Sequence, residues 1–320
     1  MRIVIALGGN ALARRGEPMT AEKLRANVRS TCQSLAKLAG EHELVITHGN
    51  GPQVGLLALQ NLAYKDVPAY PLDVLGAESQ GMIGYVVQQE LSNALDSQRE
   101  VITLLTTTIV NENDPAFEHP TKFVGPTYAA EEADAVAAEH DWIIARDGKA
   151  FRRVVPSPEP LRIAQASIVS LLLDNDKIVV CAGGGGVPVR AAADGGFEGV
   201  QAVVDKDLAS AVLSAELQAD LMIILTDGDY AAKDWGTDTE RSIFAATPEE
   251  ISKLRFQEGS MKPKVNAGIR FAQAGGKVLI GPLGQIDELL ARKVGTEISN
   301  DIVGGIVWVD EHLSEAAASC

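Results

Sequence analysis

Positive charge is in short supply: the 320-residue chain sets 28 Lys and Arg against 43 Asp and Glu, a formal net charge of −15. Non-specific nucleic-acid binding needs a basic footprint, so that class loses its footing first. Cysteine is equally scarce. Cys32, Cys181 and Cys320 form an odd set without CxxC spacing, which excludes a disulfide scaffold or an ordinary zinc site and suits a reducing, cytosolic setting. Long apolar runs are missing too, none approaching the roughly 18 to 20 residues of a membrane span. The opening Met1 to Leu7 runs into Gly8-Gly9-Asn10 with no small-residue cleavage pattern, so it reads as a buried first strand rather than a signal peptide. Several motifs are also lacking. Gly148-Lys149 is followed by Ala150 and Gly276-Lys277 by Val278, so no GxxxxGK[ST] exists, and neither HExxH nor GxSxG occurs. P-loop, zincin and α/β-hydrolase chemistry therefore lack their residues, and a dinucleotide fold is disfavoured because the stretch starting at Gly184 misses the third glycine of GxGxxG.

What remains is ordinary globular material, 46% hydrophobic and 22% charged, long enough for one large α/β unit with an insertion. Apolar runs at 2–7, 43–47, 101–106, 177–182, 221–226 and 277–280 read as strands. Helical spacing fills 20–39, 52–62, 77–95, 207–217 and 261–274. Continuous apolar strands separated by helices predict a parallel sheet buried on both faces. The rhythm breaks over 113–160, where Pro115, Pro120, Pro126, Pro156, Pro158 and Pro160 enclose a short helix (129–139) and two strands (141–146 and 150–155) joined by Asp147-Gly148, a favoured hairpin pair. This segment is expected to be a small α/β subdomain inserted in a 1–320 domain, either a plain surface elaboration or a lid over the active face.

Glycines fall where strands end: Gly8-Gly9-Asn10, His48-Gly49-Asn50-Gly51-Pro52, Gly183 through Gly186, and Asp227-Gly228-Asp229. Ligands of open parallel sheets bind at the carboxyl ends of strands, and glycine lets backbone N–H groups approach phosphate oxygens there. One such loop reads as a plain turn; four on one rim read as an anion site. Lys206 and Lys264 stand at helix starts, where the dipole disfavours a lysine unless an anion is near. Lys122 lies inside the insertion. Asp207 is positioned to hold an ammonium group. Each lysine alone would read as a solvated surface residue. His48 reads as a structural or loop histidine without an orienting partner, and Cys181 as a core residue.

Ala6-Leu7-Gly8-Gly9-Asn10-Ala11, Thr47 through Gly55 (THGNGPQVG), Pro120-Thr121-Lys122, Arg153 through Pro158, Gly183 through Pro188, Asp205-Lys206-Asp207 and Gly259-Ser260-Met261 with Pro263-Lys264 together resemble the carbamate kinase family, in order from about Arg2 to about Ile298. The resemblance implies an amino-acid-kinase fold: a three-layer sandwich around a largely parallel sheet with a small inserted lid, assembled as a homodimer. It implies reversible transfer between ATP and carbamate, giving ADP and carbamoyl phosphate, with Mg²⁺ accompanying the nucleotide; no residue is singled out as a metal ligand. The family often makes ATP in arginine, agmatine or ureide breakdown. By matching motif, Gly8, Gly9, Asn10, Gly49, Asn50 and Gly51 would surround carbamate and the transferring phosphoryl group. Lys206 and Lys264 would hold nucleotide phosphates, with Asp207 orienting both, and Lys122 would descend from the lid. Thr226, Asp227, Gly228, Tyr230 and Met261 fall where the family holds the nucleoside. Two stretches depart from the pattern: 231–236 lacks the aromatic, apolar character expected beside adenine, and the tail beyond Ile298 is longer.

Two other readings compete. Another small-molecule kinase of the same fold would usually carry a lysine in the first glycine loop, where this chain has Leu7-Gly8-Gly9-Asn10. A non-catalytic nucleotide sensor would have no need of Lys122, Lys206, Asp207 and Lys264 together.

Overall fold

Alternation along the first strand sets the architecture. In β1 (Arg2–Leu7) Ile3, Ile5 and Leu7 are buried in one layer, Val4 and Ala6 in the other, as a strand with both faces covered requires. The computed structural model describes residues 1–13, 16–96, 99–193 and 195–318; Cys320 and the side chain of Asn10 lie outside that description.

Helix α1 (Ala21–Glu41) starts at Thr20, whose hydroxyl accepts from the Lys23 N–H, and buries Leu24, Val28, Cys32 and Leu35 at helical spacing. Then come β2 (Glu43–His48), α2 (Gly51–Ala63), α3 (Leu72–Ala94), β3 (Val101–Thr103) and β4 (Thr107–Val110). The strand expected over 101–106 is thus cut short. Thr106 donates its N–H to the Gln80 Oε1 and accepts from the Ala182 N–H through its hydroxyl, while its carbonyl already accepts from the Val187 N–H, so a side chain takes the N–H where the chain leaves one sheet for another.

Next are β5 (Lys122–Tyr128), α4 (Ala130–His140), β6 (Ile144–Asp147) and β7 (Ala150–Val155), whose strands pair as β5-β7-β6 in a sheet of their own. The return is made through β8 (Pro160–Ile163), α5 (Ala166–Asp174), β9 (Ile178–Val180), β10 (Val187–Ala191) and β11 (Phe197–Gly199). The last third holds α6 (Lys206–Glu216), β12 (Leu221–Thr226), β13 (Ala231–Lys233), β14 (Arg241–Ala246), α7 (Pro248–Ser252) and α8 (Met261–Gln273). It closes with β15 (Val278–Pro282), α9 (Ile286–Leu290), β16 (Thr296–Ile298), β17 (Ile306–Trp308) and α10 (Val309–Ala318).

The main sheet runs β13-β14-β16-β15-β12-β1-β2-β9-β3, with β17 also paired to β14. Its centre is parallel: β1 with β12 and β2, β12 with β15, β9 with β2 and β3. One core packs α1, α3 and α9 on one face, and a second packs α5, α6 and α8 on the other. The result is three layers. A third cluster (Val54, Leu72, Leu75, Val124, Val155 and Val203) joins α2 and α3 to the small sheet. No helix among the described residues is long and apolar enough to cross a membrane.

Candidate active site

Because β1, β2, β9 and β12 are parallel, their carboxyl ends share one rim. Beyond β1, Gly9 to Ala11 form a short 3-10 turn. Beyond β2, the buried Asn50 occupies the N-cap position of α2, with Pro52 in its first turn. The Asn50 Nδ2 donates to Ser79 Oγ at 2.8 Å, and that hydroxyl donates to the Gly76 carbonyl at 2.7 Å, so α3 fixes the loop from below. Beyond β9, Ala182 adopts φ +49, a left-handed conformation uncommon for alanine, and opens the glycine run. Gly184 follows with φ +62, and a Cβ there would collide with the Asn50 amide. Only glycine satisfies both the dihedral and the approach.

The lysines meet at this rim. Asp205 caps α6, its Oδ1 accepting from the N–H groups of Asp207 (2.9 Å) and Leu208 (3.3 Å). The helix then begins with Lys206, whose ammonium donates to Asp207 Oδ1. Lys264, in the first turn of α8, lies 3.6 Å from Asp207 Oδ2 and donates to the Ser260 carbonyl at 3.2 Å. One buried carboxylate therefore sits between two ammonium groups from different helices. Lys122, the first residue of β5, reaches Asp205 Oδ2 at 2.7 Å. Lys206 and Lys264 are 13% and 15% exposed, against 36% for Lys122, so the first two are the more deeply set. All three line a cleft of about 310 Å³ with Gly9, Gly49, Asn50, Gly51 and Gly184.

Burial lowers the Lys206 pKa, Asp207 opposes the shift, and the Lys264 ammonium adds to it. Two cations held this close are a standing invitation to an anion. Burial disfavours the charged form of Asp205, but the ammonium of Lys122 and then that of Lys206 outweigh it and hold the carboxyl at about 2. His48 is brought down to about 4, by burial first and by Lys206 further, against its hydrogen bond to the Gly49 carbonyl at 2.9 Å. It is neutral at pH 7.

Thr226, Asp227, Gly228, Tyr230 and Met261 do not line this cleft, nor does Gly8. Gly8 and Thr226 are nonetheless adjacent on the rim: a Cβ on Gly8 would stand 2.6 Å from the Leu225 carbonyl oxygen and 3.8 Å from the Thr226 Cα. Asp205 and Ser79 were not singled out in the sequence, although Asp before a helix-starting Lys-Asp is the ordinary N-cap signal. Among the described residues no three His, Cys, Asp or Glu side chains gather to hold a metal. Both cleft carboxylates are committed to ammonium and N–H donors. That donor set suits a hard cation brought in on nucleotide phosphates rather than one caged by the protein.

The amino acid kinase family model matches residues 1–281. The carbamate kinase of Haemophilus influenzae is 55% identical over 305 residues, covering 95% of this chain and 98% of its own length. That of Rhizobium meliloti is 48% identical over 311 residues, 96% of either chain. Among solved structures, carbamate kinase from Giardia lamblia bound to AMP-PNP superposes with a TM-score of 0.85 at 39% identity, over 93% of this chain and 98% of that one. N-acetylglutamate synthase from Neisseria gonorrhoeae, at 13% identity and a TM-score of 0.55, shares the fold alone. Near-full-length identity of this order, on a cleft with this arrangement of lysines and glycine loops, makes the chain a member of the carbamate kinases within the amino acid kinase family.

Proposed function

We propose that this cleft transfers a phosphoryl group reversibly between ATP and carbamate, with ADP and carbamoyl phosphate as the other pair, and that it works chiefly toward ATP. The observation carrying this reading is the convergence of the Lys122, Lys206 and Lys264 ammoniums, held by Asp205 and Asp207, on the glycine-loop rim. Phosphoryl transfer asks the protein for alignment and for neutralisation of charge on the oxygens, and little else. Carbamate is already an anionic oxygen nucleophile, so no base is required. The neutral, buried His48 suits that account, being committed to the Gly49 carbonyl.

Lys206 and Lys264 bind phosphate oxygens while Asp207 fixes their direction. The N–H groups of Gly9, Gly49 and Gly51 face the transferring group, and Asn10 completes that first loop. Thr226, Asp227, Gly228, Tyr230 and Met261 hold the nucleoside beyond the cleft. Mg²⁺, arriving with the nucleotide, would supply further neutralisation of phosphate charge. The unit over 113–160 serves as a lid whose closure brings Lys122 in and excludes water, which would otherwise hydrolyse carbamoyl phosphate. The direction follows from chemistry: carbamoyl phosphate is a mixed anhydride, a stronger phosphoryl donor than ATP, which suits a catabolic source such as arginine, agmatine or ureides.

We also propose a homodimer, supported by exposed apolar side chains on α2 and α3, among them Leu59, Val74 and Tyr85, and by Tyr64 just after α2; sedimentation equilibrium giving a monomer mass would end that reading. Buried, unpaired Cys32 and Cys181 suit a reducing cytoplasm. The activity is tested by coupled detection of ATP from ADP and carbamoyl phosphate, with acetylglutamyl phosphate as the control. ATP from the first donor alone is expected. ATP from the second alone, or from neither, overturns the assignment.

A further inference from the structure

We propose that Asp205 is a positioning residue that latches the lid: its carboxylate holds the Lys122 ammonium over the cleft before substrate arrives and hands it to the phosphoryl group once one is bound. The inference rests on the reading of Lys122 as the lid's contribution to phosphoryl transfer.

The two oxygens of Asp205 do separate work. Oδ1 accepts from the N–H groups of Asp207 and Leu208, fixing the first turn of α6 and with it the stems of Lys206 and Asp207. Oδ2 points the other way and takes Lys122 at 2.7 Å, across 83 residues of sequence. One carboxylate thus ties the inserted unit to the helix that presents the built-in lysine. A charge-assisted hydrogen bond at this distance is among the stronger single contacts available to a side chain, and Asp205 is largely buried while Lys122 is more than a third exposed. The exposed partner is the one free to move.

Handing over is favoured by charge. An incoming phosphoryl group sets a second anion beside Asp205, and Lys122 lies between the two with three N–H donors to share. The lid's ammonium then shifts toward the group with greater charge, while Asp205 keeps its cap bonds. The cap survives a change of Asp to Asn, which leaves an acceptor at Oδ1 but removes the charge from the latch. That separates the two functions experimentally.

The test uses the full chain. Asp205→Asn is expected to lower kcat/KM for carbamoyl phosphate roughly tenfold, the scale of one hydrogen bond to a charged group, with kcat at saturation much less affected because bound substrate itself recruits Lys122. In a Lys122→Ala background the same substitution is expected to do nothing further. Amide hydrogen exchange of the ligand-free protein gives a readout independent of turnover: exchange over β5 should rise equally in Asp205→Asn and Lys122→Ala, while exchange over α6 stays at the wild-type level. An equal loss of kcat/KM in both backgrounds, or exchange rising in α6 and not in β5, makes Asp205 a helix cap and nothing more. Should Lys122→Ala leave turnover intact, the phosphoryl role of Lys122 fails, and the exchange result still decides whether the latch exists.

Discussion

At the scale of single residues, the cleft spends stability on function. Lys206 and Lys264 share the buried Asp207, an arrangement that leaves excess positive charge in a poorly hydrated place until an anion binds. Lys206→Ala or Lys264→Ala is expected to lose about 2–4 kcal/mol of transition-state stabilisation, the scale of one removed electrostatic contact, read as a fall in kcat by the coupled assay. Near-wild-type turnover in both would move the chemistry elsewhere. His48 makes a different prediction. Its pKa falls from an ordinary 6.5 to about 4 on folding, so between those values the unfolded chain holds the proton that the folded chain refuses. Stability therefore rises with pH across that window and is lost as pH drops through it, about 2 kcal/mol by pH 5. Denaturant titrations at pH 7 and pH 5 should show that loss in the wild type and not in His48→Gln; equal losses would place the titrating group elsewhere. The lysines were legible one by one as helix-start residues out of keeping with the dipole. Their meeting on Asp207 was legible only through the family resemblance, because side-chain convergence across 58 residues of sequence leaves no local pattern, and the part Asp205 takes was not legible at all.

At the scale of elements, hydrophobic pattern located the parallel strands and long helices to within a few residues, since burial on both faces leaves an uninterrupted apolar run. It failed at Thr106, where a side chain takes the backbone N–H, at β5, which is half-exposed along most of its length, and at the three-residue β13 and its partner β14. The tail had no reading at all. In the structure β17 pairs with β14 on the side away from β13 and β16, taking up an otherwise open sheet edge. Trp308 lies under the Arg241 guanidinium at 4.4 Å, and Arg241 also binds Asp310 and Glu311. A second element-level contact concerns the small sheet. Gly55 of α2 and Gly125 of β5 approach backbone to backbone, so that a Cβ on Gly55 would press on the Gly125 Cα and stand 2.8 Å from its nitrogen. Gly55→Ala forces the two apart by overpacking, at about 1–3 kcal/mol. β5, the strand that carries Lys122, must then lift. Turnover should fall while calorimetric ADP affinity holds near the wild-type value; unchanged turnover would mean that the contact yields without moving Lys122.

At the scale of the whole molecule, the opposition is between near and far charge. The chain carries −15 overall, yet its cleft gathers three ammoniums around two carboxylates. An approaching anion feels both, and ionic strength separates them. At 10 mM salt the Debye length is about 30 Å, so most of the acidic surface acts on a phosphate at the cleft mouth; at 150 mM it is about 8 Å, and only groups lining the cleft still reach it. Salt in this range therefore removes repulsion faster than it removes attraction, the reverse of a protein whose steering field matches its ligand. The rate of productive encounter, measured as kcat/KM for carbamoyl phosphate, is expected to rise about two- to threefold from 10 to 150 mM potassium chloride at fixed free Mg²⁺, with kcat unchanged because bound groups inside the cleft are screened little. A steady fall over that range would show that the three lysines dominate the field out to the mouth, so that the acidic surface takes no part in substrate capture.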